Sequence, residues 1–146
     1  MRIEARLPVA ATPDEVWPVV SDPCVIGALS DTFLVEELEP GSKPGIGTRY
    51  RALLRVGPVP VGGNVEIIEF NEPRDMAWTT LTGVDHRLRI RVRERAEGGS
   101  WLTVRFAYDS PGLLGVVADL ASFPTVRSAI HGLLQQMVER VEADRA

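Results

Sequence analysis

The stretch PTVRSAIHGLLQQMVERVEA, residues 124–143, decides the fold. At ~100° per residue, Val126, Ile130, Leu133, Leu134, Met137, Val138 and Val141 fall in one arc, with Arg127 near its start. Ser128, Gln135, Glu139 and Glu142 fall opposite. His131 lies at the edge of the arc, where a surface imidazole is expected. Pro124 suits a first helical turn, and Ser122 is positioned to cap it. An amphipathic helix of this length gains most of its stability from what its apolar face packs against. The cover must therefore come from earlier in the chain.

The 146 residues fit one domain, 1–146, large enough for a real core. Hydrophobic content of 45% and charged content of 25% are those of an ordinary globular protein. A net charge of −4 argues against nucleic acid or an anionic membrane surface as the main partner. The single cysteine, Cys24, excludes an internal disulfide. The sequence shows neither an N-terminal apolar signal region nor an apolar run near membrane-spanning length. The expectation is a cytoplasmic protein without integral membrane association.

Upstream of the helix the pattern changes. Arg2 to Val9 alternates as a half-buried strand. Thr12-Pro13-Asp14-Glu15 reads as a capping box opening a short helix through Val20, with Pro18 in its middle. Ser21-Asp22-Pro23 ends it and introduces a second short helix through Leu29. Strands follow at Phe33–Glu39, Thr48–Val56, Val61–Phe70, Met76–Thr82, His86–Arg95 and Trp101–Asp109, separated by Gly- and Pro-rich turns. Leu113 to Ala121 reads as a short apolar helix before the long one.

Short turns between successive strands imply an antiparallel meander, and one apolar face per strand implies that one side packs and the other meets water. The predicted architecture is α+β. A seven-stranded curved antiparallel sheet wraps around the long C-terminal helix, and two short helices follow the first strand. A curved sheet and a straight helix do not fit flush, so an apolar cavity between them is expected.

Three stretches carry a family resemblance over nearly the whole chain. Val9-Ala10-Ala11-Thr12-Pro13-Asp14-Glu15-Val16-Trp17 through Ser21-Asp22-Pro23 resembles the first helix and following loop of the START-like (SRPBCC, helix-grip) superfamily. Pro44-Gly45-Ile46-Gly47-Thr48-Arg49-Tyr50 resembles its glycine-rich turn into the third strand. Glu69-Phe70-Asn71-Glu72-Pro73-Arg74-Asp75-Met76-Ala77-Trp78 resembles its turn between the fourth and fifth strands. Val56-Gly57-Pro58-Val59 is similar to a subgroup related to a carbon monoxide dehydrogenase accessory subunit. Many members carry an aromatic residue near the cavity mouth, where this chain has Cys24-Val25-Ile26-Gly27-Ala28-Leu29. The resemblance implies a helix-grip fold, with members that include polyketide cyclase/dehydrase-like proteins, lipid and hormone binders, and co-chaperone domains. Fold alone does not choose among them.

Strand parity selects the candidate residues. His86 shares a face with Leu88, Ile90 and Val92, pointing at the helix, where an imidazole could orient a ligand carbonyl or act as acid or base. The alternative is a half-solvated imidazole at a strand start. Tyr50 and Tyr108 also point inward, as packing residues with satisfied hydroxyls or as ligand contacts. Trp78 either walls the pocket or fills the core. The expected lining from the sheet is Tyr50, Leu54, Trp78, Thr80, His86, Leu88, Phe106 and Tyr108. From the helix it is Ile130 and Leu134.

His86, His131 and Cys24 lack metal-ligand spacing, and neither a metal nor an organic cofactor is expected. Cys24 reads as a small core residue. Gly41 to Gly47 lacks the ending of a phosphate loop. The alternating Arg87, Arg89, Arg91, Arg93 and Arg95 read as a solvated outer face, with docking of an acidic protein as the alternative. The leading expectation is binding of a small hydrophobic molecule. The runner-up is a polyketide cyclase-type enzyme with His86 and Tyr108 as the proton-moving pair and conformational restriction as its main source of rate.

Overall fold

The computed structural model describes residues 1–31, 33–55, 61–109 and 112–146, the side chains of 61 and 112–123 excepted. The chain runs β1 (Arg2–Val9), α1 (Pro13–Val20), α2 (Pro23–Ala28), β2 (Phe33–Glu37), β3 (Arg49–Leu54), β4 (Val61–Asn71), β5 (Asp75–Thr80), β6 (Asp85–Glu94), β7 (Ser100–Asp109) and α3 (Gly112–Arg145). The seven strands form one antiparallel sheet in the order β1-β7-β6-β5-β4-β3-β2. The meander is as expected, and β1 closes it by pairing with β7 along its whole length, Arg2 opposite Ala107 to Val9 opposite Ser100.

The local chemistry explains the short helices. The Thr12 side chain accepts from the Glu15 N–H while the Glu15 carboxylate accepts from the Thr12 N–H, a complete capping box. Asp22 caps α2 by accepting from the Cys24 N–H. Pro18 lies within α1 without ending it, and the helix is two turns long.

Alternation holds on the strands. Tyr50, Ala52 and Leu54 of β3 are buried, as are His86, Leu88, Ile90 and Val92 of β6 and Leu102, Val104, Phe106 and Tyr108 of β7. Strands β5 and β2 each stop two residues earlier than their patterns suggest. β5 ends at Thr80 because the N–H groups of Leu81 and Thr82 both turn to the Asn64 carbonyl. β2 ends at Glu37, and the Glu37 carboxylate turns back to accept from the Gly41 N–H at 3.0 Å. The Val56–Val59 resemblance and the predicted end of β3 at Val56 lie outside the described residues.

One expectation is overturned. Leu113–Ala121 is not a separate short helix, and Ser122 does not cap a new one. Both belong to a single 34-residue helix, α3, with Pro124 inside it. A mid-helix proline forfeits one hydrogen bond and crowds the preceding turn, at about 3 kcal/mol. Here the helix continues, with an apolar face buried on its far side at Val126, Ile130, Leu133, Leu134, Met137 and Val141. Arg127 and His131 are exposed, and Val138 is half-buried. α3 packs mainly on β1, β7 and α1. Its C-terminal end is tied to the β1–α1 junction: Glu142 accepts from the Ala10 N–H at 2.8 Å, Arg145 donates to the Ala10 carbonyl, and Arg145 lies 3.4 Å from Glu15.

Candidate functional site

The inner face of the sheet carries the candidate residues, and β5, β6 and β7 bring their side chains together. Trp78 and Leu88 are opposite one another across β5 and β6, and His86 and Tyr108 across β6 and β7. This register sets Trp78 beside His86. The Trp78 Nε1–H donates to His86 Nε2 at 3.1 Å. His86 Nδ1 lies 3.2 Å from the Val84 carbonyl. Since Nε2 accepts, the proton sits on Nδ1 and is donated to Val84. Both ring nitrogens are thereby occupied. Burial pushes the His86 pKa below its ordinary value, partly offset by the Val84 carbonyl and by Asp85. The imidazole is neutral near pH 7. It is 6% exposed, which removes the half-solvated alternative.

Thr80 fixes the turn that presents it. Its hydroxyl accepts from the His86 N–H at 3.2 Å and donates to Asp85 at 2.9 Å. Thr80 itself is half-buried at the end of β5.

The His86 ring stacks on Phe106 with centroids 5.4 Å apart, and Phe106 sits 5.9 Å from Tyr108. Phe33 completes the group, edge-on to Trp78 and to Phe106 at 6.4 Å each. Phe33 belongs to β2 and Phe106 to β7, strands separated by four others in the sheet. Their contact measures the curl: one end of the sheet folds over until its two flanks meet through aromatic rings. Phe33 was not among the residues expected to line the inner face. Strand parity with Val35 and Glu37 was the signal available, but the curl that carries it to Phe106 has no local trace in the sequence.

Tyr50, Leu54, Leu88, Ile130 and Leu134 join the same buried core cluster, each 4% exposed or less. Tyr50 differs from the rest. Its side chain is 1% exposed, yet its hydroxyl has no hydrogen-bond partner among the described residues. Burial first, then Asp22, Cys24 and Glu37, push this phenol far above the ordinary tyrosine range. Burial and the same two carboxylates also raise the half-buried Cys24 thiol.

At the open end of the sheet, His86 and Tyr108 border a depression of about 600 Å³ whose rim carries Arg2, Asp85, Arg87 and Asp109. Among the described residues, no group of three or more His, Cys, Asp and Glu side chains could hold a metal ion. No described helix is long and apolar enough to cross a membrane.

The arginine row lies on the opposite, outer face. Arg89 pairs with Glu69 at 3.8 Å, and Asp75 takes Arg91 at 3.5 Å and Arg93 at 3.0 Å. Arg95 and Arg6 stack on Trp101, with guanidinium carbons 4.7 and 3.9 Å from the ring centroid. Glu66 pairs with Arg49 rather than with the row.

A curled seven-stranded sheet gripping one long helix, with an aromatic inner wall, defines the helix-grip, START-like class. Residues 1–143 match the family described as polyketide cyclase / dehydrase and lipid transport, and the chain belongs to it. Its fold is similar to that of a Thermus thermophilus protein known by crystal structure, with a TM-score of 0.82 and 16% identity over 100% of both chains. It is similar to the KanY protein, solved by NMR, with a TM-score of 0.76 and 18% identity over 97% of each chain. A Mesorhizobium loti protein matches with a TM-score of 0.70 and 10% identity over 100% of this chain and 98% of that one. At these identities the likeness is one of fold. No curated protein matches the chain.

Proposed function

We propose that this protein binds a small, largely apolar molecule, of lipid, polyketide or isoprenoid type, between the inner face of the sheet and α3. The observation that carries this reading over an enzymatic one is the state of His86. Its Nε2 accepts from Trp78 and its Nδ1 is directed at Val84, so the one inward imidazole is held as part of a wall. A general base needs a free lone pair within reach of a substrate proton. A cyclase role for His86 and Tyr108 would require the Trp78 bond to break first. The lining in this reading is aromatic and aliphatic, with Trp78, His86, Phe106 and Tyr108 from the sheet and Ile130 and Leu134 from the helix. Such a surface recognises shape and apolar area, with few polar groups setting orientation.

The outer arginine row stands apart from the site. Its pairing with Glu69 and Asp75 supports a solvated face rather than a docking surface. We place the protein in the cytoplasm, in keeping with its single cysteine. Native mass spectrometry of purified protein tests the binding reading: a retained mass in the lipid or polyketide range supports it. A protein that is empty, and whose Tm no hydrophobic compound raises, overturns it.

A further inference from the structure

Resting on that binding reading, we propose that Tyr50 is the polar anchor of the site, and that the part of the ligand it meets is a neutral hydrogen-bond acceptor, a ketone- or ester-type carbonyl rather than a carboxylate or phosphate.

Tyr50 lies on β3 with Glu37 of β2 on one side and Val65 of β4 on the other, its side chain directed into the core. A buried hydroxyl without an acceptor is destabilising, because it has given up water and gained nothing. Among the described residues, no acceptor lies within hydrogen-bond distance of the Tyr50 hydroxyl. The two neighbouring carboxylates do not reach it: one oxygen of Glu37 is held by the Gly41 N–H and one of Asp22 by the Cys24 N–H, each at 3.0 Å. The acceptor is therefore best supplied from outside the chain.

Charge narrows the class. Glu37 is the cross-strand neighbour of Tyr50, and Asp22 caps the helix beside it. Two fixed carboxylates make this corner negative, which keeps the phenol protonated as a donor and repels an incoming anion. A cationic ammonium would bring donors where an acceptor is required. A carbonyl supplies lone pairs without charge. Fatty acids and phospholipid headgroups are thereby disfavoured at this end of the site, although their chains would suit the apolar walls.

A matched set of rigid tricycles tests the assignment: 9-fluorenone, fluorene and fluorene-9-carboxylate, titrated calorimetrically into wild-type protein and Tyr50→Phe. In wild type, fluorenone is expected to bind roughly five- to tenfold tighter than fluorene, the worth of one neutral hydrogen bond, and the carboxylate weakest of the three. Tyr50→Phe should equalise fluorenone and fluorene while leaving fluorene unchanged. The ligand-free variant should melt no lower than wild type, because the orphaned hydroxyl is gone. A ketone preference that survives Tyr50→Phe, equal binding of ketone and hydrocarbon to wild type, or preference for the carboxylate overturns the Tyr50 assignment alone. A clear fall in the Tm of the ligand-free variant also overturns it, since a trapped water or protein acceptor then satisfies the hydroxyl. If none of the three binds wild type, the assignment falls; the binding reading falls with it only when the purified protein is also empty and no hydrophobic compound raises its Tm.

Discussion

Trp78 and His86 are locked together through a 3.1 Å hydrogen bond from the indole N–H to the imidazole Nε2, and that bond decides which nitrogen of the imidazole carries the proton. The indole can only donate, so His86 must present a lone pair to it. A proton on Nε2 would face another proton. The lock therefore adds to burial in holding the imidazole neutral.

Acid should weaken the fold through His86. Its folded pKa lies below the unfolded value near 6.5, with burial as the main cause. The stability it contributes is fully present above about pH 6.5 and is lost as pH falls through that value toward the folded pKa. The limiting slope is about 1.4 kcal/mol per pH unit. Urea midpoints between pH 8 and 5 should show the decline, and His86→Phe should flatten it. An equally steep decline in the variant would place the sensitivity elsewhere.

The same lock fixes the tautomer. In neutral protein the nitrogen shifts of His86 should be those of the Nδ1–H form, with Nε2 unprotonated. His86→Phe keeps a ring against Phe106 but leaves the Trp78 N–H and the Val84 carbonyl without partners. A loss of about 1–3 kcal/mol is expected from unfolding curves. An Nε2–H spectrum would contradict the assigned lock.

Gly83 should be the least replaceable residue of the β5–β6 turn. Its φ is +87°, and a Cβ there would overlap the Gly62 carbonyl on β4. Gly83→Ala combines left-handed strain with a backbone clash that no rotamer relieves. A loss of more than about 1 kcal/mol is expected, read as a lower urea midpoint at unchanged slope. Gly98, also at positive φ but with open space around it, should tolerate the same change better.

Much of this was legible from residues alone, for physical reasons that differ by element. Alternation exposes which face of β3, β6 and β7 packs, because a one-residue slip would bury arginines. The Thr12–Glu15 box was readable because its partners are three residues apart. The β1–β7 pairing, the Phe33–Phe106 contact and the Tyr50 orphan were not readable, since each depends on how far the whole sheet curls. The break expected before Pro124 failed because local propensity competes with an apolar face packed over many turns. The match of Asp75 to two arginines rests on a β5–β6 register that periodicity does not fix.

The tie between the end of α3 and the first strand gives the last prediction. Ala10 leaves the sheet one residue after β1, and its N–H and carbonyl are taken by Glu142 and Arg145 of α3. These groups are exposed, so each contact is weak on its own. Together they fix the helix where the sheet edge gives way to α1, close to buried Val141. Glu142→Gln keeps an acceptor and should cost little. Glu142→Ala removes it and should cost about 0.5–1.5 kcal/mol. The distinguishing readout is amide exchange at Ala10, which should accelerate in Glu142→Ala and hardly change in Glu142→Gln. Faster exchange throughout α3 in both variants would instead mark the helix end as globally marginal, with the Glu142–Ala10 bond incidental to it.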